Sequence, residues 1–404
     1  MTIIFFTLFF ISLHPEYLLE QGAKVRKNRP LAGIYIHIPF CRQKCRYCDF
    51  YSVASEAQRP AVLSALHREL DLRRDEVREP VRTIYIGGGT PTVCTPEELQ
   101  ELIDHAKSLY TISTPDEVTV EANPDDLTED YLARLRETDV DRLSIGIQSF
   151  HDPHLQLFNR RHTGQQAYDA VLRAKQHGFG NITVDLIYGI PGMTDGEWEE
   201  NLRKFIELDV PHLSAYHLTI EPRTVFGRWA EQGRLAPVPD EASQRHYEML
   251  ERVTQGAGYA HYEISNFARP GYEARHNSSY WDGTPYLGIG PAAHSFDGQT
   301  RRWNTADNKR YLESLETGGY FEAERLSDTD RFNETLMTGL RTARGISWEK
   351  IGREFGDEKI GFLRTAVRKY LDSGRLIDDG HSLRIPSVHF LVSDSVIADL
   401  FWEK

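Results

Sequence analysis

Short apolar runs alternate with longer amphipathic stretches from about residue 31 to residue 218. Six of the runs have the length and β-branched content of strands: Gly33–Ile38, Thr83–Ile86, Glu117–Ala122, Arg142–Ile147, Thr183–Ile187 and His212–Leu218. The stretches between them have the periodicity of helices: Ala61–Asp75, Pro96–Leu109, Thr128–Thr138, Gln165–His177 and Gly196–Leu208. This alternation predicts a parallel sheet with helical crossovers.

Two layouts agree with this order of elements, an open doubly wound sheet and a barrel or partial barrel. Polar residues at or just beyond the C-terminal strand ends favour the barrel, because these ends share one mouth there. They are Gly87–Thr90, Glu121, Gln148 and Asp185. We therefore predict an α/β fold whose core, residues 31–220, is a partial (β/α)6 TIM-like barrel.

The remainder of the chain divides into two further segments. Residues 221–310 are rich in aromatic residues, glycine and proline, and they are predicted as loops and short helices that cover the barrel. Residues 311–404 are predicted as a separate, mainly helical, winged-helix-like domain. Its predicted elements are two helices, a stop and a hairpin: Phe332–Thr342, Ile360–Ser373, Gly374, and Arg375–Ile377 with Leu383–Ile385.

The N-terminus begins with an apolar run, Ile3–Ile11, interrupted only by Thr7. This run is too short to span a bilayer, which takes about 20 apolar residues. Three interpretations stay open for residues 1–30: an extension outside the fold, a membrane-surface anchor and a signal peptide. We expect the first of them.

The overall charge argues against nucleic acid as a partner. The net charge is −13 at pH 7, so the broad basic surface of a nucleic-acid-binding protein is missing. The hydrophobic content of 40% and the charged content of 26% are those of an ordinary globular protein.

Three of the four cysteines form a C-x₃-C-x₂-C triplet just after the first predicted strand, at Cys41, Cys45 and Cys48. Clustered thiols in a long chain indicate a metal site in a reducing compartment, and we therefore expect a cytosolic protein. Three thiolates on a four-iron cluster leave one iron open to an exogenous ligand. The alternative is a structural zinc site with His37 as the fourth ligand. Cys94 is expected to be a small buried residue.

A glycine run, Gly87–Gly89, follows the second predicted strand and continues into Thr90 and Pro91. Glycines let the backbone approach a ligand closely, and we expect free N–H and C=O groups here.

Together these motifs resemble the coproporphyrinogen-oxidase-like branch of the radical S-adenosylmethionine (SAM) proteins. The resemblance covers about residues 31–385 and rests on five blocks in the family's order: Tyr35–Cys41 with the cysteine triplet, Gly87–Pro91, Val120–Pro124, Ile145–Phe150 and Val184–Pro191. It implies a [4Fe–4S] cluster held by the three cysteines, with SAM on the open iron.

The resemblance also implies a set of SAM contacts. A carboxylate such as Glu121 suits the ribose hydroxyls or the amino group, and Arg160 suits the carboxylate of SAM. The whole set is Tyr35, Tyr47, Gly88, Gly89, Thr90, Glu121, Gln148, Arg160 and Asp185.

The branch contains two functional types, and two features separate them. One type decarboxylates coproporphyrinogen III without oxygen, and the other, the HemW type, is regarded as a haem chaperone. The oxidase type carries a fourth cysteine two residues after the third, where this chain has Phe50, and it has an N-terminal arm that residues 1–30 do not resemble. The sequence favours the HemW type, while the oxidase and another radical SAM activity stay open.

The run His276–Trp281 resembles the haem-binding motif of the HemW type, written H-N-x-x-Y-W. The resemblance implies His276 as an axial ligand and Tyr280 and Trp281 as packing for the macrocycle. His294 is a second candidate ligand, and Arg275 or Arg302 suits a propionate.

The resemblance further implies haem or a porphyrin as the ligand and haem-acceptor proteins, among them respiratory ones, as partners. No stable transmembrane span is expected, and peripheral contact with a membrane stays open. A homodimer stays open too, and so does the consumption of SAM, on which the status of the chain as an enzyme depends.

Overall fold

The computed structural model describes residues 33–112 and 115–403. The predicted N-terminal extension, residues 1–30, lies outside the described residues. Among the helices of the described part, none combines the length and the apolar character that a bilayer crossing requires.

Six strands and six helices form the first half of the described chain. The strands are β1 (Gly33–Ile38), β2 (Thr83–Gly88), β3 (Glu117–Ala122), β4 (Arg142–Gln148), β5 (Asn181–Tyr188) and β6 (His212–His217). The helices are α1 (Arg59–Leu72), α2 (Pro96–Leu109), α3 (Glu129–Arg136), α4 (Asp152–Phe158), α5 (Gly164–Gln176) and α6 (Asp195–Leu208). All the predicted strands and helices of this half are confirmed, and the short helix α4 is an addition.

These six strands lie side by side in chain order, and each pairs in parallel with the next. A doubly wound sheet reverses its strand order at a switch point, and this sheet does not. Right-handed crossovers that always advance in one direction leave all helices on one face, so the sheet curls around the other face. The predicted partial barrel is therefore confirmed.

Alternate residues of a strand point to opposite faces, so β1 contributes apolar side chains to one face and polar side chains to the other. Ile34, Ile36 and Ile38 are fully buried in the hydrophobic core under the helices. Tyr35 and His37 face the inside of the barrel, where their polar groups bond to each other. The apolar face thus builds the barrel wall and the polar face lines its interior.

The segment 221–310 differs from its prediction. It contains three helices and five strands: α7 (Val225–Glu231), α8 (Asp240–Gly256), β7 (Ala260–Glu263), β8 (Asn266–Ala268), α9 (Arg275–Trp281), β9 (Tyr286–Ile289), β10 (His294–Phe296) and β11 (Thr300–Asn304). The strand β9 pairs in parallel with β1, and β8 pairs antiparallel with β6, so the segment extends both edges of the sheet. The short helices α7 and α9 agree with the prediction. The five strands were not predicted, because runs of only 3 to 5 residues give little periodic signal.

The last part of the chain is mainly helical, as predicted. Its elements are α10 (Asn308–Ser314), β12 (Phe321–Arg325), α11 (Asp328–Gly339), β13 (Ile346–Ser347), α12 (Trp348–Ala366), α13 (Arg368–Asp372), β14 (Ile377–Asp378), β15 (Ser382–Arg384) and α14 (Ser393–Ala398). The strands β13, β15 and β14 form a small antiparallel sheet that includes the predicted hairpin. β12 is the edge strand of the large sheet, so that sheet continues past residue 311.

A buried carboxylate on α1 ties the helix layer to the strands added beside β1. Glu69 is fully buried, and it accepts hydrogen bonds from Arg73 at 3.1 Å, Asn304 at 2.8 Å, the Gly290 N–H at 2.7 Å and Tyr311 at 2.7 Å. Two of these partners lie beyond β10, so one side chain joins distant parts of the chain.

Glu69→Gln should lower the free energy of unfolding by about 3 kcal/mol, because the buried Arg73 guanidinium then keeps only the half-exposed Glu76 as a counter-charge. Urea denaturation followed by circular dichroism measures this. Glu316→Gln is the matched control, since it breaks the exposed pair of Glu316 with Arg68 on the same helix and should change little. Equal effects of the two changes would contradict the assignment of Glu69 as an internal tie.

Candidate metal and cofactor site

The parallel register of β1 and β2 brings the cysteine triplet and the glycine run to one edge of the sheet. Ile38 at the end of β1 lies opposite Gly88 at the end of β2. Beyond the strands, the Gly89 N–H donates to the Ile38 carbonyl at 2.9 Å, and the Thr90 N–H donates to the Phe40 carbonyl at 2.7 Å. The glycine run therefore holds the backbone that enters the cysteine loop.

This pairing corrects one expectation about the glycine run. The N–H groups of Gly88, Gly89 and Thr90 are not free, because the first donates to the Glu121 carboxylate at 3.0 Å and the other two to the chain ahead of Cys41. The run binds the loop that carries the cysteines, in addition to lining the site.

Glycine is required at two positions of the run for reasons of space and conformation. Gly88 has a φ of 112°, and a Cβ there would lie 2.5 Å from the His37 ring. A Cβ on Gly89 would lie 2.5 Å from the Phe40 carbonyl oxygen. Larger residues would push the second strand away from the segment that leads to the cysteines.

The cysteine loop and the strand ends line a cavity at the mouth of the barrel. Eight of its lining residues are predicted site residues: Cys41, Cys45, Cys48, Gly89, Thr90, Glu121, Gln148 and Arg160. Five others were not singled out from the sequence: Gln43, Ser52, Ala122, Asn123 and Gly146. The predicted metal ligands and most of the predicted SAM contacts thus share one cavity.

Polar groups surround the thiols. Thr90 donates a hydrogen bond to the Cys41 sulfur at 3.4 Å, and Arg160 donates to the Cys45 sulfur at 3.5 Å. Burial raises the pKa of Cys41 and of Cys48 above the usual thiol value. Buried thiols lose their protons when a metal compensates the charge, and a neighbouring guanidinium favours the same thiolate state.

The zinc alternative has less support than the cluster. His37 is buried, its Nδ1 contacts the Tyr35 hydroxyl and its Nε2 contacts the Tyr51 carbonyl, both at 2.9 Å, so neither nitrogen is turned to the cysteines. Within residues 33–112 and 115–403, no group of three or more His, Cys, Asp and Glu side chains is arranged to hold one metal ion. A cluster spreads its thiolates over different irons, so the donor set fits a three-thiolate cluster better.

Gln148 has a strained backbone and an unsatisfied side-chain amide, two features typical of ligand-binding residues. Its φ is 69°, a left-handed conformation that is costly for a residue other than glycine, and it lies at an irregularity in the pairing of β4 with β5. Its side-chain Nε2 is buried without a hydrogen-bond partner among the described residues. The amide lines the cavity, so a polar ligand such as SAM would satisfy it.

Asn123 was missed and connects the two sides of the cavity. Its side chain donates to Thr90 at 3.2 Å and accepts from Arg160 at 2.8 Å. It belongs to the quoted block Val120–Pro124, and its place one residue beyond Ala122 at the end of β3 is the signal that could have identified it.

Four predicted SAM contacts are not among the residues that line the cavity: Tyr35, Tyr47, Gly88 and Asp185. Tyr47 is buried and packs edge-on against Phe158 at 4.8 Å. Asp185 is fully buried on β5 and accepts a hydrogen bond from Ser144 at 3.2 Å. Tyr35, Gly88 and Asp185 lie on strands β1, β2 and β5, and Tyr47 lies in the cysteine loop. Their roles in SAM binding stay predictions.

The haem candidates lie elsewhere, on α9 and β10. His276 is fully buried, with Nδ1 at 2.8 Å from the Thr83 hydroxyl and Nε2 at 2.8 Å from the Tyr280 hydroxyl. Burial lowers the pKa of His276 to about 3, so the ring is neutral. Trp281 is half-buried at the end of the helix, and His294 is exposed. Ligation of iron by His276 therefore requires α9 to move.

Comparisons with known proteins identify the family of this chain. Residues 35–205 match the family described as "Radical SAM superfamily", and residues 326–387 match the one described as "HemN C-terminal domain". The chain is 35% identical over 349 residues to Heme chaperone HemW of Bacillus subtilis, covering 85% of this chain and 92% of that protein. It is 38% identical over 363 residues to Heme chaperone HemW of Lactococcus lactis, covering 90% and 95% respectively.

One solved structure shares the whole fold. Coproporphyrinogen III oxidase (HemN) from Escherichia coli matches with a TM-score of 0.80 at 21% identity, covering 92% of this chain and 90% of that chain. At this identity the likeness establishes the fold alone. A partial barrel with three cysteines at its mouth is the architecture of a radical SAM protein, and that superfamily implies a [4Fe–4S] cluster and SAM. Within it, the chain belongs to the HemW family.

Cys45→Ala should abolish cluster binding, because it removes one of only three thiolates in the cavity. Iron content and the near-ultraviolet and visible charge-transfer absorbance after anaerobic reconstitution measure this. Cys94→Ala is the matched control, since Cys94 is fully buried and is not among the cavity's lining residues, and this variant should load normally. Unchanged iron content in Cys45→Ala would contradict the ligand assignment.

Proposed function

We propose that this protein is a haem chaperone that binds haem and delivers it to acceptor proteins, while its barrel mouth holds a SAM-ligated [4Fe–4S] cluster. The observation that carries the proposal is the 35% to 38% identity, over most of the chain, to proteins named Heme chaperone HemW. Phe50, in place of the fourth cysteine of the oxidase type, and the H-N-x-x-Y-W run on α9 support it.

The residues of the mouth have separate tasks in this proposal. Cys41, Cys45 and Cys48 hold the cluster and leave one iron open. SAM bound there would supply one-electron chemistry when the cluster is reduced. Glu121 accepts hydrogen bonds from the hydroxyl or amino groups of SAM, and Arg160 binds the carboxylate of SAM. The Gln148 amide donates a hydrogen bond to SAM.

His276 is the proposed axial ligand, and its buried position makes haem binding a two-step event. The helix α9 first leaves the interior of the barrel, and the imidazole then becomes available to iron. His294 is the competing candidate, because the residue is exposed and needs no such movement, although partial burial of its ring lowers its pKa to about 4. Trp303 pairs with it across β10 and β11, and the two rings are stacked at 6.4 Å.

His276→Ala should weaken haem binding tenfold or more, about 1.4 kcal/mol, because the axial bond is lost. Spectrophotometric titration with haem measures the dissociation constant and the Soret position. His294→Ala is the matched control and should leave both unchanged. The reverse result, with only His294→Ala weakened, would move the ligand to β10.

The oxidase alternative is tested by an anaerobic assay on cluster-loaded protein with SAM, a reductant and coproporphyrinogen III. Under the chaperone proposal, no protoporphyrinogen IX forms, and haem transfer to an acceptor apoprotein becomes the activity to measure. Separation and quantification of the porphyrins provide the readout. Product formed over many turnovers would make the chain a decarboxylase despite Phe50.

A further inference from the structure

A continuous set of contacts runs through the barrel from the cofactor cavity to α9. Glu117, Thr119 and Glu121 are alternate residues of β3, so they share its inner face. Glu121 lies at the cavity, and Glu117 lies at the other end of the strand. Both carboxylates are buried, so each needs fixed hydrogen-bond donors.

At the cavity end, Tyr85 on β2 fixes the Glu121 carboxylate. The tyrosine hydroxyl donates to one carboxylate oxygen at 2.8 Å, and the Gly88 N–H donates to the other at 3.0 Å. A carboxylate held on both oxygens has a defined orientation toward a ligand in the cavity.

At the far end, α9 docks on the interior of the same two strands. Glu117 accepts hydrogen bonds from the N–H groups of Arg275 at 3.0 Å and His276 at 3.1 Å. Thr83 on β2, two residues before Tyr85, contacts the Nδ1 of His276 at 2.8 Å. The first turn of α9 is therefore bonded to both β3 and β2.

The two ends meet in a ring contact. The His276 ring stacks on the Tyr85 ring with their centroids 5.1 Å apart and an interplanar angle of 28°. Tyr85 thus contacts the cavity through its hydroxyl and α9 through its ring face. When α9 leaves, Tyr85 loses the partner that covers one of its faces, and its hydroxyl is less firmly directed at Glu121.

We infer that Tyr85 is a positioning residue of the SAM site and that it couples SAM binding to the docking of α9. With α9 docked, Glu121 is preorganised for SAM, so SAM binds most tightly to this arrangement. By reciprocity, SAM stabilises docked α9 and keeps His276 inside the barrel. In its haem arm the inference rests on the proposed function, because release of His276 is then the step that SAM opposes.

The first test is hydrogen exchange of the peptide containing residues 275–281 in cluster-loaded protein, with and without saturating SAM. SAM should slow the exchange of the α9 amides fivefold or more in the wild type, within the range of about 5- to 150-fold found for coupled sites. In Tyr85→Phe, which keeps the ring and loses the hydroxyl, the slowing should fall below twofold. Equilibrium dialysis should show a three- to tenfold loss of SAM affinity in the same variant.

Tyr188→Phe is the matched control. Tyr188 is a buried tyrosine on β5 whose ring contacts are with Trp198 and His217, outside this set of contacts. This variant should respond to SAM like the wild type. Thr83→Val adds a change at the α9 end only, and it should lower SAM affinity although Thr83 does not line the cavity.

Two outcomes would overturn the inference: α9 exchange that is insensitive to SAM in a wild type shown to bind SAM, or a Tyr85→Phe variant that responds like the wild type.

Haem titration gives the second arm, in which saturating SAM should weaken haem binding fivefold or more in the wild type but not in Tyr85→Phe. If haem fails to bind at all while the exchange results hold, the proposed function fails and the coupling stands.

Discussion

Two backbone hydrogen bonds, from Gly89 to Ile38 and from Thr90 to Phe40, set the geometry of the whole barrel mouth. They extend the β1–β2 register beyond the strands and thereby fix where the chain enters the cysteine loop. Thr90 then reaches the Cys41 sulfur, and the neighbouring Gly88 N–H reaches Glu121. The predicted metal ligands and cofactor contacts are therefore positioned by one piece of backbone, and at its two tightest points, Gly88 and Gly89, only glycine fits.

The barrel core was predictable because its strands are long, apolar and separated by helices with their own start signals. Thr95 begins α2 with a capping box completed by Glu98, and this signal is local in sequence. The strands at the sheet edges carry no such signal. β12, Phe321–Arg325, contains three charged residues in five, and it is a strand only because β11 offers it a partner. Tertiary context decided these elements, and a single sequence does not display it.

The candidate site was predictable in its chemistry and less so in its contacts. The cysteines, Glu121 and Arg160 could be identified from their residue type and spacing. Gly146 does not, because its contribution is the absence of a side chain: a Cβ there would lie 2.8 Å from the Gln148 amide nitrogen. The expectation of free N–H groups in the glycine run was wrong for a similar reason. A sequence does not show whether a backbone N–H bonds to a ligand or to another part of the chain.

The sequence motif predicts His276 as a haem ligand, whereas the structure buries its imidazole inside the barrel. Undocking α9 breaks three hydrogen bonds to Thr83 and Glu117, each with a net value of about 0.5–1.5 kcal/mol, so their loss makes the release cost roughly 1.5–4.5 kcal/mol. A haem site with an intrinsic dissociation constant near 1 nM, about 12 kcal/mol, would still bind haem in the nanomolar to micromolar range after this cost. Cargo binding and a docked resting state are therefore compatible, and any interaction that stabilises the docked helix adjusts the affinity for haem by the same free energy.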